Sequence, residues 1–185
     1  MGRFAMESVY SMLQKGPGAE LDHEETLRAI IQKINHSHMV SEGHFHFSVS
    51  DFVIEWVRRD LLNIIFGNSD NHGRNTAFMR YQGEIKLAPI YDFAPMKADP
   101  EGIPRSTKWA SALETGGEYH FPAIAQALAD LVEPDTLLAA LQQTARQLYG
   151  LENRLRQRGV PEQIMSMPSI GFKFIADKLH RWGLL

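Results

Sequence analysis

Apolar residues recur along most of this chain at the spacing of helices. Phe4, Met6, Val9, Tyr10 and Leu13 share one helical face and stop before Gly16-Pro17-Gly18, which predicts a helix followed by a breaker. Asp22 is placed to cap a second helix carrying Leu27, Ile30, Ile31 and Ile34 on one face. A polar, His-rich stretch runs from Asn35 to His46. Ser50 then reads as the N-cap of the most hydrophobic helix of the chain, from Phe52 to Phe66. Apolar side chains cover most of its circumference, the mark of a buried helix. Gly67 is a suitable C′ residue to end it.

A polar loop follows, from Asn68 to Asn75. Thr76 to Tyr81 and Glu84 to Leu87 read as short strands joined at Gln82-Gly83, hence a small hairpin. From Ala88 to Tyr119 the chain is rich in Pro and Gly and has no clear period, which predicts a long connection of the kind that often carries function. Pro122 opens a helix through Val132. Pro134 and Asp135 open another, with Leu137, Leu141, Leu148 and Leu155 on one stripe, ending near Gly159. A last helix is expected from Phe172 to Trp182. There is no internal repeat. The expected fold is mainly α, helical with one small β-hairpin beside the polar loop, in one domain over residues 1–185.

Composition narrows the function. The 185 residues are 44% hydrophobic and 22% charged, so the chain can bury a core and is not disordered. It has no cysteine, which excludes disulfides, thiolate zinc sites, iron–sulfur clusters and a cysteine nucleophile. A net charge of -3 argues against direct nucleic-acid binding over the whole surface. No apolar run is long enough to span a bilayer; the densest, Leu61 to Phe66, is cut by Asn63. Met1 to Tyr10 hold Arg3 and Glu7 and no apolar h-region, so the expected address is the cytoplasm.

The chemistry concentrates in Asp70-Asn71-His72-Gly73-Arg74-Asn75, between the buried helix and the hairpin. The hairpin leads on to Asp92-Phe93. Asp, four residues, Asn, a hairpin and then Asp-Phe is the order of a kinase catalytic loop and its metal-binding segment. Phosphoryl transfer needs a carboxylate to orient the acceptor hydroxyl and take its proton, a role for Asp70. It also needs hard oxygen ligands for Mg²⁺, a role for Asn75 and Asp92. Asn75 adds an oxygen without a third negative charge. Arg74 and Lys108 are candidates to steady phosphate charge, or simply to hold the loop.

The blocks Asn68-Ser69-Asp70-Asn71-His72-Gly73-Arg74-Asn75 and Leu87-Ala88-Pro89-Ile90-Tyr91-Asp92 resemble the C-terminal domain of the HipA family, bacterial serine/threonine kinases that act as toxins of toxin–antitoxin modules. The family pattern is Asn-x-Asp-x-His-x-Lys-Asn followed by Leu-x-Pro-x-Tyr-Asp. The resemblance implies a protein-kinase-like C-terminal lobe, with Asp70 as catalytic base, Asn75 and Asp92 on Mg²⁺, and His72 and Arg74 supporting the loop. It implies ATP as phosphoryl donor, an antitoxin-like partner, and a translation component as the class of protein substrate. Arg74 stands where the family has Lys, and its planar fork is not equivalent to a point charge.

The family's Gly-rich phosphate loop and strand lysine belong to an N-terminal lobe. Gly16-Pro17-Gly18 lacks flanking strands and Gly116-Gly117 is isolated, so this chain is expected to be the C-terminal lobe alone, inactive by itself. The alternative is a non-catalytic module that docks an antitoxin or a DNA-bound transcriptional regulator complex. Two other features invite blander readings. His36, His38, His44 and His46 form two His-x-His pairs that read first as a polar surface loop and second as a metal cluster. Arg154, Arg156 and Arg158 suit the C-terminal end of a helix.

Overall fold

The computed structural model describes residues 5–185. Its centre is the helix α4 (Val49–Phe66), which buries Phe52, Val53, Trp56, Val57, Leu61, Ile64 and Ile65. The cap is Ser48, not Ser50: its hydroxyl accepts from the Asp51 amide at 3.3 Å, and the helix begins two residues earlier than its apolar face suggests. Gly67 ends the helix in the left-handed conformation, as expected from its lack of a Cβ.

Before α4 come β1 (Met6–Ser8), α1 (Val9–Leu13), β2 (Leu21–Asp22), α2 (His23–Asn35) and α3 (His38–Ser41). The helix expected from Phe4 to Leu13 forms only from Val9 onward. Phe4 lies outside the described residues, and Met6 to Ser8 form a strand instead, pairing antiparallel with β3 (Ala77–Tyr81) in the register Glu7 to Phe78. The expected hairpin of β3 and β4 (Glu84–Leu87) is therefore part of a three-stranded sheet in the order β1-β3-β4. Its loop is Gln82-Gly83, both with positive φ, as a two-residue primed turn requires. Asp22 caps α2 by accepting from the Glu25 amide at 2.9 Å. Leu27, Ile30, Ile31 and Ile34 face the core as their spacing predicts.

The long connection is more ordered than its composition suggests. It holds a 3₁₀ turn (Met96–Ala98), β5 (Thr107–Lys108), β6 (Glu114–Thr115) and β7 (Glu118–Tyr119). β5 pairs parallel with β2, and β6 with β7. Gly116-Gly117, isolated in sequence, is the tight turn between β6 and β7, with both φ positive.

The remaining elements are α5 (Phe121–Ala127), α6 (Pro134–Leu148), α7 (Leu151–Gln157), α8 (Glu162–Met165), a second 3₁₀ turn (Phe172–Phe174) and α9 (Ile175–Arg181). α5 ends before Val132. The single long helix expected from Pro134 to Gly159 is broken at Gly150, which adopts φ 70° between α6 and α7. Arg154 donates to the carbonyls of Gln147 and Tyr149, occupying acceptors that the end of α6 leaves free. α6 packs on both α4 and α5 through Leu137, Leu141, Ala145 and Leu148.

The C-terminal residues complete this core. Trp182 is buried against Tyr119 and Phe121 and donates to Glu118 at 2.9 Å. Ile170 seats against Gly67, where an added Cβ would lie 3.1 Å from its Cγ1. No helix among the described residues is long and apolar enough to cross a membrane.

Candidate active site

The loop that carries Asp70 leaves α4 under tight control. The Asn68 amide donates to the Asn63 carbonyl at 2.8 Å, and the Asn68 side chain donates to Asn63 Oδ1 at 2.9 Å. Asn68 and Ser69 are buried. Asp70 emerges with 29% of its side chain exposed, and His72 Nε2 lies 3.5 Å from Asp70 Oδ1. The Asp70 carbonyl accepts from Asn75 Nδ2 at 3.0 Å, and the Asn75 amide donates to the His72 carbonyl at 2.9 Å. These two bonds curl the loop so that Asp70 and Asn75 are neighbours.

Gly73 makes that curl possible. The Tyr10 amide donates to the Gly73 carbonyl at 3.1 Å, and the Tyr10 ring stacks on His72. A Cβ on Gly73 would sit 2.3 Å from the Tyr10 ring, so only glycine lets α1 approach this closely.

The sheet brings the segment that carries Asp92 back to the loop. Phe78 pairs with Leu87, and the Ala88 amide extends the ladder to the Ala77 carbonyl at 2.8 Å. Tyr91 then donates its hydroxyl to the Arg74 carbonyl. Ile90, Tyr91 and Phe93 line, together with Asn68 and Asn75, a cavity of about 30 Å³, room for one water molecule. Asp92 sits between two of these lining residues, with φ 52°. That left-handed backbone costs an L-residue about 1–2 kcal/mol, least for Asp and Asn. Burial, and then the Asp92 charge, push the Tyr91 phenol above its ordinary range.

Asp70, His72 and Asn75 thus share one turn, and the segment bearing Asp92 packs against it. Arg74 is exposed, and its guanidinium makes no hydrogen bond or ion pair among the described residues. Lys108 lies 3.8 Å from Glu20, on the surface. Neither cation is bonded to the Asp70 loop through its side chain.

The donor set suits a hard divalent cation. The Asn75 amide nitrogen is committed to the Asp70 carbonyl, which leaves its oxygen as the available ligand atom. The Asp92 carboxylate has no hydrogen bond or ion pair among the described residues. Both offer oxygen, the ligand type Mg²⁺ requires. Among the described residues no group of three or more His, Asp or Glu is placed to hold a metal, a pattern that an Asn–Asp pair falls outside. In the His-rich stretch, His38 and His44 both reach Glu42, at 3.3 and 3.1 Å.

Two groups of residues around the site escaped sequence reasoning. Asn71 bonds repeatedly to Ser106 and Thr107, across more than thirty residues. Asp60 lies within α4 and is 2% exposed. It accepts from Arg105 Nη2 at 3.0 Å and Trp109 Nε1 at 2.9 Å, and His23 Nε2 lies 3.4 Å away. His23 Nδ1 accepts from Trp56 Nε1 at 2.9 Å, which places its ring proton on Nε2, toward Asp60. Burial raises the pKa of Asp60, but Arg105, His23 and the Trp109 hydrogen bond outweigh it and hold the carboxyl well below the usual range. The available signal was a lone carboxylate on the buried stripe of an apolar helix.

The sequence matches the family model of the HipA-like C-terminal domain over residues 2–150. No curated protein matches it. Among solved structures it is similar to a chain of the HipA, HipB and operator DNA complex of the Shewanella oneidensis MR-1 toxin–antitoxin system, at 14% identity and a TM-score of 0.49. That similarity covers 98% of this chain and 43% of the other, so this chain spans less than half of that relative's length. The family match contains the Asp70 loop, the hairpin and Asp92, and by it this chain belongs to the HipA-like C-terminal domain family.

Proposed function

We propose that this chain is the catalytic C-terminal lobe of a HipA-like serine/threonine protein kinase, the toxin of a toxin–antitoxin module with an antitoxin-like partner. The observation that carries the reading is the bond from Asn75 Nδ2 to the Asp70 carbonyl, in a turn packed against the segment that bears Asp92. It sets Asp70, a partly exposed carboxylate, beside Asn75, which supports a site in which Asp92 joins them as the second oxygen ligand. Family membership supports the same assignment.

In this reading Asp70 orients the acceptor hydroxyl of a protein Ser or Thr and takes its proton on a carboxylate oxygen. His72, 3.5 Å from Asp70, restrains that carboxylate, and Arg74 supports the loop through its backbone contact with Tyr91. Asn75 and Asp92 hold Mg²⁺, which when bound neutralises charge on the phosphate oxygens of ATP. The rest of the phosphate grip comes from an N-terminal lobe, so transfer is a property of the two lobes together.

The test uses this chain joined to the N-terminal lobe of a HipA-family kinase and labelled ATP. Asp70→Ala is expected to lower transfer by about 10²–10⁴-fold while leaving the circular dichroism spectrum unchanged. Transfer retained in that variant removes Asp70 from the role. If the wild-type pairing transfers nothing and still binds an antitoxin, the chain is a docking module and not a catalyst.

A further inference from the structure

Resting on the kinase reading, the geometry points to Asn71 as a positioning residue that locks the Asp70 loop to β5 and so fixes where Asn75 stands as a metal ligand beside Asp70. The motif that identifies the family leaves this position unspecified, and the bonds assign it a task. Asn71 Nδ2 donates to the Thr107 carbonyl at 2.9 Å. Its Oδ1 accepts from the amides of Ser106 and Thr107, at 3.1 and 3.3 Å. Its own carbonyl accepts from Thr107 Oγ1 at 2.8 Å.

The side-chain amide therefore imitates a strand, offering a donor and an acceptor to one edge of β5 while β2 pairs with the other. β5 is in turn anchored to α4. Arg105 Nη2 donates to Asp60 and, at 3.2 Å, to the Thr107 carbonyl that Asn71 also uses. Trp109, beyond the strand, donates to the same Asp60. The loop is thus tied to α4 twice, once along the chain through Gly67 and once through space from Asp60 by way of β5.

Asp70 precedes the locked residue, and Asn75 is bonded to the Asp70 carbonyl. A shift of Asn71 moves both. Asp70 itself is free of such bonds on its side chain, apart from the His72 contact. A fixed neighbour beside a free functional group is how a site holds its geometry without consuming its ligand atoms.

The test follows Mn²⁺, as a paramagnetic stand-in for Mg²⁺, by its broadening of the nuclear magnetic resonance signals of Asn75 and Asp92 in the whole chain. Asn71→Ala is expected to weaken Mn²⁺ binding at these residues by about 10–100-fold, the usual effect of losing a ligand's support. Hydrogen exchange of the α4 amides should stay at the wild-type rate, which a general loss of stability would change. Thr107→Ser keeps the hydroxyl donor and is expected to bind as wild type does, whereas Thr107→Val loses it and should bind more weakly. This pair decides the matter even where Asn71→Ala does not fold. Unchanged Mn²⁺ affinity in Asn71→Ala, or equal affinity in the two Thr107 variants, overturns the inference and leaves the kinase reading standing. Wild-type chain that shows no broadening at Asn75 and Asp92 overturns the reading and the inference with it.

Discussion

Gly73 is a glycine because of Tyr10, sixty-three positions earlier in the chain. The ring occupies the space a Cβ would need, and the same ring stacks on His72. Gly73→Ala should lower stability by about 1–3 kcal/mol, the usual cost of overpacking, as read by urea denaturation. It should also shift the His72 ring signals. Asp60 makes a second prediction. Its native pKa lies below the ordinary 3.8, so it contributes stability that is complete above that value and lost as pH falls through the native pKa. The wild-type urea midpoint should therefore decline below about pH 4, and Asp60→Asn should show a shallower decline. At neutral pH that variant should lose about 3 kcal/mol, because buried Arg105 loses one of its two carboxylate partners and keeps only Glu114.

At the scale of elements, the cap of α4 separates what the pattern showed from what it did not. Ser48→Ala should cost about 1 kcal/mol and Ser50→Ala close to nothing, measured by thermal melting. The helix itself was legible, because its apolar run and its terminal glycine are local signals. So were α2 and the β3–β4 hairpin, with Asp22 and Gln82-Gly83 at their ends. β1 was not: Met6 to Ser8 carry a helical spacing, and only pairing with β3, some seventy residues on, makes them a strand. The break at Gly150 was hidden by a leucine stripe that runs on through it. In the candidate site, Asp70, Asn75 and Asp92 are singled out by their order along the chain, and the fold sets Asp70 beside Asn75 with the segment of Asp92 packed on their turn. Asn71, Asp60 and Arg105 were not, since their partners lie 35 to 49 positions away and no spacing rule connects them.

For the whole molecule, the boundary of the family match is not a boundary of the core. The match stops at residue 150, yet Met165, Ile170, Phe172, Leu179 and Trp182 are buried. Ser169 donates to the Lys97 carbonyl at 3.0 Å, while the Lys97 amide donates to the carbonyl of Gly67 at 2.8 Å. The last residues thus brace both the start of the Asp70 loop and the segment after Asp92. A chain ended at Gly150 should bind the dye ANS and melt without a cooperative transition, the behaviour of a state that keeps helices but loses packing. The seating of Ile170 on Gly67 also bears on synthesis. A nascent polypeptide has displayed every motif residue long before the ribosome makes Ile170. Until that residue and Trp182 have left the ribosome, the surface that steadies those groups does not exist, so the site matures only after both have emerged.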